Sequence, residues 1–424
     1  MPSNKKILII TYYWPPCGGA GVQRWLKFAK YLPEYGWEPI VLTVDPDYAQ
    51  YPAFDESLKK EINPSLKVHK TKALNYFRLG KAGKPNGKVM AGSNTINNSI
   101  SNRIARFIRG NFFIPDPRRG WNRYAIKKAS ELIQEEGIEY IITTSPPHST
   151  QLIGLKLKKI FPSVKWICDL RDPWTDIYYY NKFFSTWPAR RYDCNLEKKV
   201  LKKSDRIITV GNKLSDLISS KMPEAEEKFS VITNGYDEED FRSLKKNPPD
   251  MLTITYVGSL SEQYPVDTLI ESLQQLTEKG NEYQFRFVGE CTRGIKRKIK
   301  SVVPEHSFYY LSYRCHREAL TAMLTSSALV LIIPDHKENR IIITGKLFEY
   351  LRTETPILAI GPEDGEAAKI INECGAGKTF NKHDINGIYD FLSSGKINKI
   401  SYKAPEKYSR KSLTAMLTYE IGRL

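Results

Sequence analysis

Lys5-Lys6-Ile7-Leu8-Ile9-Ile10-Thr11 is an apolar, β-branched run that leads into a Pro/Gly-rich loop, Pro15 to Gly21. From Val22 to Leu32 the spacing is helical, with Val22, Trp25, Phe28, Ala29 and Leu32 on one face. Pro39 to Val44 is the next strand-like run. A strand apolar throughout needs cover on both faces, and a helix between two such strands supplies it. The pattern therefore predicts a parallel, doubly wound sheet. Further strand-like runs occur at 140–143, 164–168 and 206–210. A second series begins near Phe229-Ser230-Val231, with strands expected at 252–257, 283–288, 328–333 and 356–360. Two α/β units follow, with a turn-rich linker around 230–250. The expected divisions are 1–230, 231–400 and a tail, 401–424, forming a final helix that packs back toward the N-terminal domain. Residues 80–100, rich in Gly, Asn and Lys, read as a mobile loop. There is no short-period repeat, which excludes a solenoid.

At 424 residues the chain has room for two or three domains. No apolar run approaches the roughly 18 residues of a membrane span. The N-terminus does not read as a signal peptide, because Ile7–Ile10 runs straight into Tyr12-Tyr13-Trp14-Pro15-Pro16. Cys17, Cys168, Cys194, Cys291, Cys315 and Cys374 are scattered without a C-x-x-C pair, as expected in a reducing cytosol without disulfides or zinc. The net charge of +17 favours an anionic partner.

The segment Thr344-Gly345-Lys346-Leu347-Phe348-Glu349 reads as a loop entering a helix, with a buried strand at Pro356–Ile360 beyond it. A helix start offers free N–H groups and a positive dipole end to a phosphate. Lys346 adds a cation, and Glu349 a carboxylate that can accept from sugar or ribose hydroxyls. His148, after a strand and two prolines, is a candidate to hydrogen-bond a ligand or stabilise charge, a surface loop histidine being the other reading. Arg171 and Asp172 follow another strand. Asp172 either accepts a hydrogen bond from a ligand hydroxyl or pairs with Arg171 to pin the loop. Asp45-Pro46-Asp47 spells a D-x-D metal motif but is better explained as a turn. Gly19-Ala20-Gly21-Val22-Gln23-Arg24, with Asp45 after the second strand, is a partial dinucleotide fingerprint that lacks its third glycine. The long, proline-stiffened loop before it is unlike the tight turn of those enzymes. Neither a G-x-S-x-G elbow nor a Walker loop occurs.

Six motifs in order carry a resemblance. They are Gly18-Gly19-Ala20-Gly21, Thr144-Ser145-Pro146-Pro147-His148, Asp169-Leu170-Arg171-Asp172-Pro173-Trp174, Ile232-Thr233-Asn234-Gly235-Tyr236-Asp237, Tyr256-Val257-Gly258-Ser259-Leu260 and the Gly345–Glu349 helix start. The chain resembles the family 4 glycosyltransferases over nearly its whole length. The resemblance implies a GT-B fold of two Rossmann-like domains facing a central cleft. It further implies sugar transfer from a UDP- or GDP-sugar with retention and no required metal or cofactor. The donor is expected on the C-terminal domain, the acceptor on the N-terminal one. Implied donor contacts are Gly18, Gly19, Gly258, Ser259, Arg340, Gly345, Lys346 and Glu349, with His148, Asp172 and Lys346 as catalytic residues and Arg171 positioning acceptor or loop. This sequence departs from the family in three places. The first glutamate of E-x7-E is Ile341, and the Arg and Lys usual on the diphosphate are Ser259 and Tyr264. Lys346 and Arg340 are the expected substitutes.

Ile100, Ile104, Phe107 and Ile108 share a helical face flanked by Arg103, Arg106 and Arg109, and Phe112, Phe113, Arg118, Arg119, Trp121 and Arg123 follow. The stretch 100–123 reads as an interfacial surface for anionic membrane, suited to a glycan or lipid-linked acceptor and a position on the cytoplasmic face of the plasma membrane in cell-surface polysaccharide synthesis. No nucleic-acid-binding motif is present. A non-catalytic subunit of the same fold and an NAD-dependent oxidoreductase are the alternative readings.

Overall fold

The computed structural model describes residues 5–74 and 100–424. The loop read at 80–100 falls almost wholly outside these. The chain forms two compact units, Met1–Thr233 together with Arg410–Leu424, and Asn234–Ser409.

The first unit contains β1 (Lys5–Ile10), α1 (Ala20–Tyr31), β2 (Trp37–Val44), β3 (Lys67–Thr71), α2 (Ile100–Phe112), α3 (Asn122–Glu136), β4 (Tyr140–Ser145), α4 (Ser149–Ile160), β5 (Lys165–Leu170), α5 (Trp187–Lys203), β6 (Arg206–Thr209), α6 (Asn212–Ser219) and β7 (Phe229–Val231). Its seven strands lie in the order β3-β2-β1-β4-β5-β6-β7, all parallel. Chain direction across the sheet reverses between β1 and β4, so the carboxyl ends of those strands are where a doubly wound sheet opens a ligand crevice.

The second unit contains α7 (Glu238–Phe241), β8 (Thr253–Val257), α8 (Val266–Glu278), β9 (Gln284–Val288), α9 (Arg293–Val302), β10 (Phe308–Leu311), α10 (His316–Leu324), β11 (Ala328–Ile332), α11 (Gly345–Thr353), β12 (Ile357–Ile360), α12 (Glu366–Glu373), β13 (Gly377–Phe380) and α13 (Ile385–Ser393). The order is β10-β9-β8-β11-β12-β13, again parallel, with its switch between β8 and β11. Alternate residues feed two cores. Ala328, Val330 and Ile332 enter one face, and Leu329 and Leu331 the other. This double burial is why β11 reads as an unbroken apolar run. The last helix, α14 (Arg410–Gly422), returns to the first unit. It buries Leu413, Leu417 and Ile421, and Glu420 pairs with Arg206 at 3.3 Å.

All four sheet edges differ from the sequence expectation. β3, β10 and β13 have no counterpart in it, and Phe229–Val231, read as opening the second series, instead closes the first sheet by pairing with β6. At β3 and β13 the reason is that an edge strand is covered on fewer sides and needs no continuous apolar run, whereas β10, Phe308-Tyr309-Tyr310-Leu311, is aromatic and apolar throughout. Lys67-Val68-His69-Lys70-Thr71 is partly or fully exposed along its length.

One buried ion pair ties the first unit together. Asp169 on β5 is fully buried, and its Oδ1 accepts from Arg24 Nε at 3.2 Å and Nη2 at 3.0 Å. Its Oδ2 accepts from Trp25 Nε1 at 2.8 Å and Thr144 Oγ1 at 2.7 Å. Arg24 Nη1 donates to the Thr233 carbonyl at 2.8 Å. Every charge and lone pair is thus answered, the condition under which a buried pair is tolerated. Arg24 stands where a dinucleotide fingerprint would carry its third glycine, and it points into the core. Asp169→Asn leaves the Arg24 guanidinium buried without its counter-charge and is expected to cost about 3–5 kcal/mol. Chemical denaturation would read this as a lowered midpoint, with part of the loss recovered when Arg24→Met is added.

Candidate functional site

In the second unit Gly258 and Lys346 meet at the switch between β8 and β11, with Gly345 and Glu349 on the same helix as Lys346. α11 begins at Gly345, and Thr344, its N-cap, makes no side-chain cap. The Thr344 Oγ1 is buried without a partner, and no acidic residue occupies the first turn. The helix start therefore leaves its dipole end and N–H groups uncompensated by side chains. Lys346 folds back over the end of β8. Its Nζ donates to the Tyr256 hydroxyl and the Val257 carbonyl, both at 3.0 Å, and lies 4.3 Å from the Tyr256 ring centre. Burial lowers its pKa from 10.5 to about 8, with Glu349 pulling back upward. Gly258 makes this possible. It adopts φ +127°, and a β-carbon there would lie 2.8 Å from the ammonium.

Glu349 Oε1 lies 2.9 Å from His316 Nε2, a residue at the start of α10 that sequence reasoning did not single out. Nothing near His316 in the sequence marks it, because the partnership spans 33 residues. Ser259 is exposed, and its carbonyl accepts from Tyr256 Oη at 3.1 Å. Tyr264 packs against the core, so the position where a cation was expected contributes apolar surface. Arg340 is exposed and bound to Asp364 through Nε at 2.7 and 2.8 Å. Its charge is therefore already shared, which weakens it as a substitute on a diphosphate. Ile341 closes a 3-10 turn before α11.

The first unit holds a cavity of about 320 Å³ at its own switch, lined by Gly18, Gly19, Gly21 and Val22 after β1, by His148 after β4 and by Arg171 after β5. Gly18 packs against Ala53 and Asp55, and its N–H donates to the Ala53 carbonyl. Gly19 is open, with φ +98°. The space beside Gly21 is taken by the Arg171 guanidinium, 3.1 Å from where a β-carbon would stand. Arg171 does not bond Asp172. Its Nε donates to the Ser145 carbonyl at 3.2 Å. Asp172 does not line the cavity, and burial raises its carboxyl above the ordinary range, with Arg171 pulling back. Asp45 accepts from the Asp47 N–H at 2.9 Å, the expected turn.

His148 stacks on Trp174, with ring centres 5.2 Å apart and 15° between planes. Both ring nitrogens are shielded from water and in no hydrogen bond of good geometry. Burial lowers its pKa to about 4, with Asp116 opposing, so the ring is neutral at ordinary pH.

The surface read at 100–123 divides in two. Along α2, Ile104, Phe107 and Phe112 are 54, 41 and 69 % exposed. Beyond it the chain turns inward, contrary to expectation. Trp121 is buried and donates to Thr71 Oγ1 at 2.8 Å, and Arg118 faces the cavity. The Pro115-Asp116-Pro117 sequence is the turn signal that marks this break. No helix among the described residues is long and apolar enough to cross a membrane.

A family model described as Glycosyltransferase Family 4 matches residues 18–240, more than half of the chain. The chain belongs to glycosyltransferase family 4. No curated protein matches its sequence significantly. Among solved structures it is similar to the lipopolysaccharide outer core galactosyltransferase WaaB (12 % identity, TM-score 0.61, covering 99 % of this chain and 100 % of that one). HepE from Anabaena, solved with UDP, matches at 12 % identity and TM-score 0.62 over 99 % and 100 % of the two chains. The catalytic domain of starch synthase IV from Arabidopsis thaliana, bound to ADP and acarbose, matches at 13 % and 0.61 over 99 % of each. The fold is GT-B, and the protein is a glycosyltransferase.

Because the folded-state pKa of His148 lies below its ordinary 6.5, the unfolded chain takes up the proton more readily between about pH 4 and 6.5. Stability should therefore rise with pH across that window, by at most about 1.4 kcal/mol per pH unit from this group. Unfolding midpoints measured from pH 4 to 7 should show a shallower rise in His148→Gln.

Proposed function

We propose that this glycosyltransferase moves a sugar from a UDP- or GDP-sugar to a glycan or lipid-linked acceptor in cell-surface polysaccharide synthesis, with retention and without a metal. The observation that carries the donor reading is the Lys346 ammonium held beside the uncapped start of α11. Together they offer two sources of positive potential to a leaving diphosphate, and stabilising that group is the main catalytic term available. Glu349 holds the ribose through Oε2, its Oε1 being oriented by His316. Gly258 and Gly345 let the backbone approach the phosphates, with Ser259 exposed beside them and Arg340 a secondary contact. HepE solved with UDP and starch synthase IV solved with ADP support a nucleoside diphosphate as the ligand class.

On the acceptor side, the neutral His148 ring lines the cavity and is held in place by stacking on Trp174, so it offers a sugar a fixed, uncharged wall. Gly18 and Gly19 keep the loop after β1 close to the sugar. Asp172, whose carboxyl pKa is raised by burial, is the candidate to accept a proton from the acceptor hydroxyl only if its loop moves to bring it to the cavity, and Arg171 positions that loop. The exposed apolar face of α2, with Arg103 and Arg106 beside it, rests on anionic lipid at the cytoplasmic membrane surface.

Calorimetric titration with UDP, GDP, ADP and NAD tests the donor assignment, and binding of NAD alone would sink it. Lys346→Met should lower kcat by about 10²–10³, and Glu349→Ala should weaken nucleotide binding by about tenfold. Nucleotide affinity should fall as pH rises past about 8, where Lys346 loses its proton, and be flat there in Lys346→Met. Sedimentation with neutral and anionic vesicles tests the membrane contact. Phe107→Ser/Phe112→Ser should reduce binding to anionic vesicles several-fold, and equal retention on neutral ones would refute the charge component.

A further inference from the structure

The cavity of the first unit holds three guanidinium groups, those of Arg109, Arg118 and Arg171. Arg118 is only 9 % exposed, and its Nε is buried without a hydrogen-bond partner. Among the described residues none of the three is in an ion pair. The carboxylates that share the cavity make their hydrogen bonds to other groups, and Asp116 acts on the Arg118 guanidinium only through space, helping with Tyr13 to keep it charged against the effect of burial. Asp116 Oδ1 accepts from the Arg118 backbone N–H at 2.9 Å and from Ser149 Oγ at 2.9 Å, and its Oδ2 accepts from the Ser149 N–H at 2.8 Å. It therefore caps two helix starts, the 3-10 turn Pro117–Trp121 and α4. Asp193 accepts from Trp174 Nε1 and from Tyr180 Oη, each at 2.8 Å. The Arg109 guanidinium lies 4.1 Å from the Phe183 ring centre, stacked but unpaired.

Burying unpaired positive charge is costly unless an anion answers it. Arginine is the side chain best matched to a phosphate, through paired N–H donors. The remaining lining is apolar and aromatic, with Tyr13, Phe113, Ile177 and Tyr179 among its residues. We infer that this cavity binds a phosphoryl or diphosphoryl group carried by the acceptor, with Arg118 and Arg109 as its ligands and the aromatic wall receiving the part attached to it. The inference deepens the acceptor reading above and rests on it for the word acceptor. The anion site itself stands on the cavity. Gly110 and Phe113, at the end of α2 and just beyond it, belong both to this lining and to the stretch that bears the exposed apolar face. A phosphate on a membrane-held lipid and one on a soluble sugar share the required chemistry.

The test is calorimetric titration of the whole protein with inorganic pyrophosphate, farnesyl diphosphate, farnesol and glucose 1-phosphate, each with the donor site saturated by the nucleotide found to bind there. Pyrophosphate should bind, and Arg118→Met and Arg109→Met should each weaken it about tenfold or more while nucleotide affinity changes less than twofold. Farnesyl diphosphate binding more tightly than pyrophosphate would identify a lipid source, and glucose 1-phosphate doing so a soluble one. Equal binding of farnesol and farnesyl diphosphate, or pyrophosphate binding unaltered in both variants, would overturn the proposal. Arg109 lies on the half-buried rim, so its variant keeps the test meaningful should Arg118→Met fold poorly. If no nucleotide binds, titration without it separates the two readings. Loss of the donor reading then leaves the arginine dependence of pyrophosphate binding intact.

Discussion

The Arg24–Asp169 pair fixes the geometry on which the first unit's cavity depends. α1 and β5 each send a loop to the switch point, and the pair joins them below it. Trp25 and Thr144 complete the same carboxylate, so α1, β4 and β5 share one polar centre within an otherwise apolar core. A buried pair is poor evidence of stability in itself, because desolvation offsets much of the attraction. Its value here is positional. The loops that follow β1, β4 and β5 carry Gly19, His148 and Arg171, and they start from a frame with one permitted arrangement.

The second unit achieves the equivalent with neutral groups. Lys346 is held by a phenol and a carbonyl, so its charge is oriented without being cancelled by a carboxylate. Gly258 supplies the necessary closeness. An ammonium in that position is poised between charged and neutral forms, and a diphosphate would settle it in the charged one. Ser259 is exposed and Tyr264 packs against the core, so among the candidate residues at this end of the sheet Lys346 is the partly buried cation beside the helix start.

Much of the fold was legible in the sequence because central strands of a doubly wound sheet are buried on both faces. Ile7–Ile10 and Ala328–Ile333 could hardly be anything else. The edges were not legible, since β3 and β13 need hydrogen-bond partners more than apolar side chains. Among the candidate residues of each unit, those adjacent to turn signals, such as His148 and Gly345, stood out, as did Lys346 and Glu349 on the helix that follows. His316 and the inward turn of Arg118 did not, because one depends on a contact between distant helices and the other on where a Pro-Asp-Pro turn points the chain.

What the sequence determined by itself is the alternation of strand and helix, the glycine loops at strand ends and the helix start at Gly345, all of which follow from local periodicity and backbone preference. Only the tertiary structure decided which charges are spent. Arg340 has Asp364, Arg24 has Asp169, and Asp116 serves two helix ends, whereas among the described residues Arg118, Arg109 and Lys346 have no carboxylate within ion-pair distance, Asp116 and Glu349 acting on Arg118 and Lys346 only through space. Net charge counts all cations alike. Burial and pairing in three dimensions single out the few whose electrostatic potential is left for a ligand.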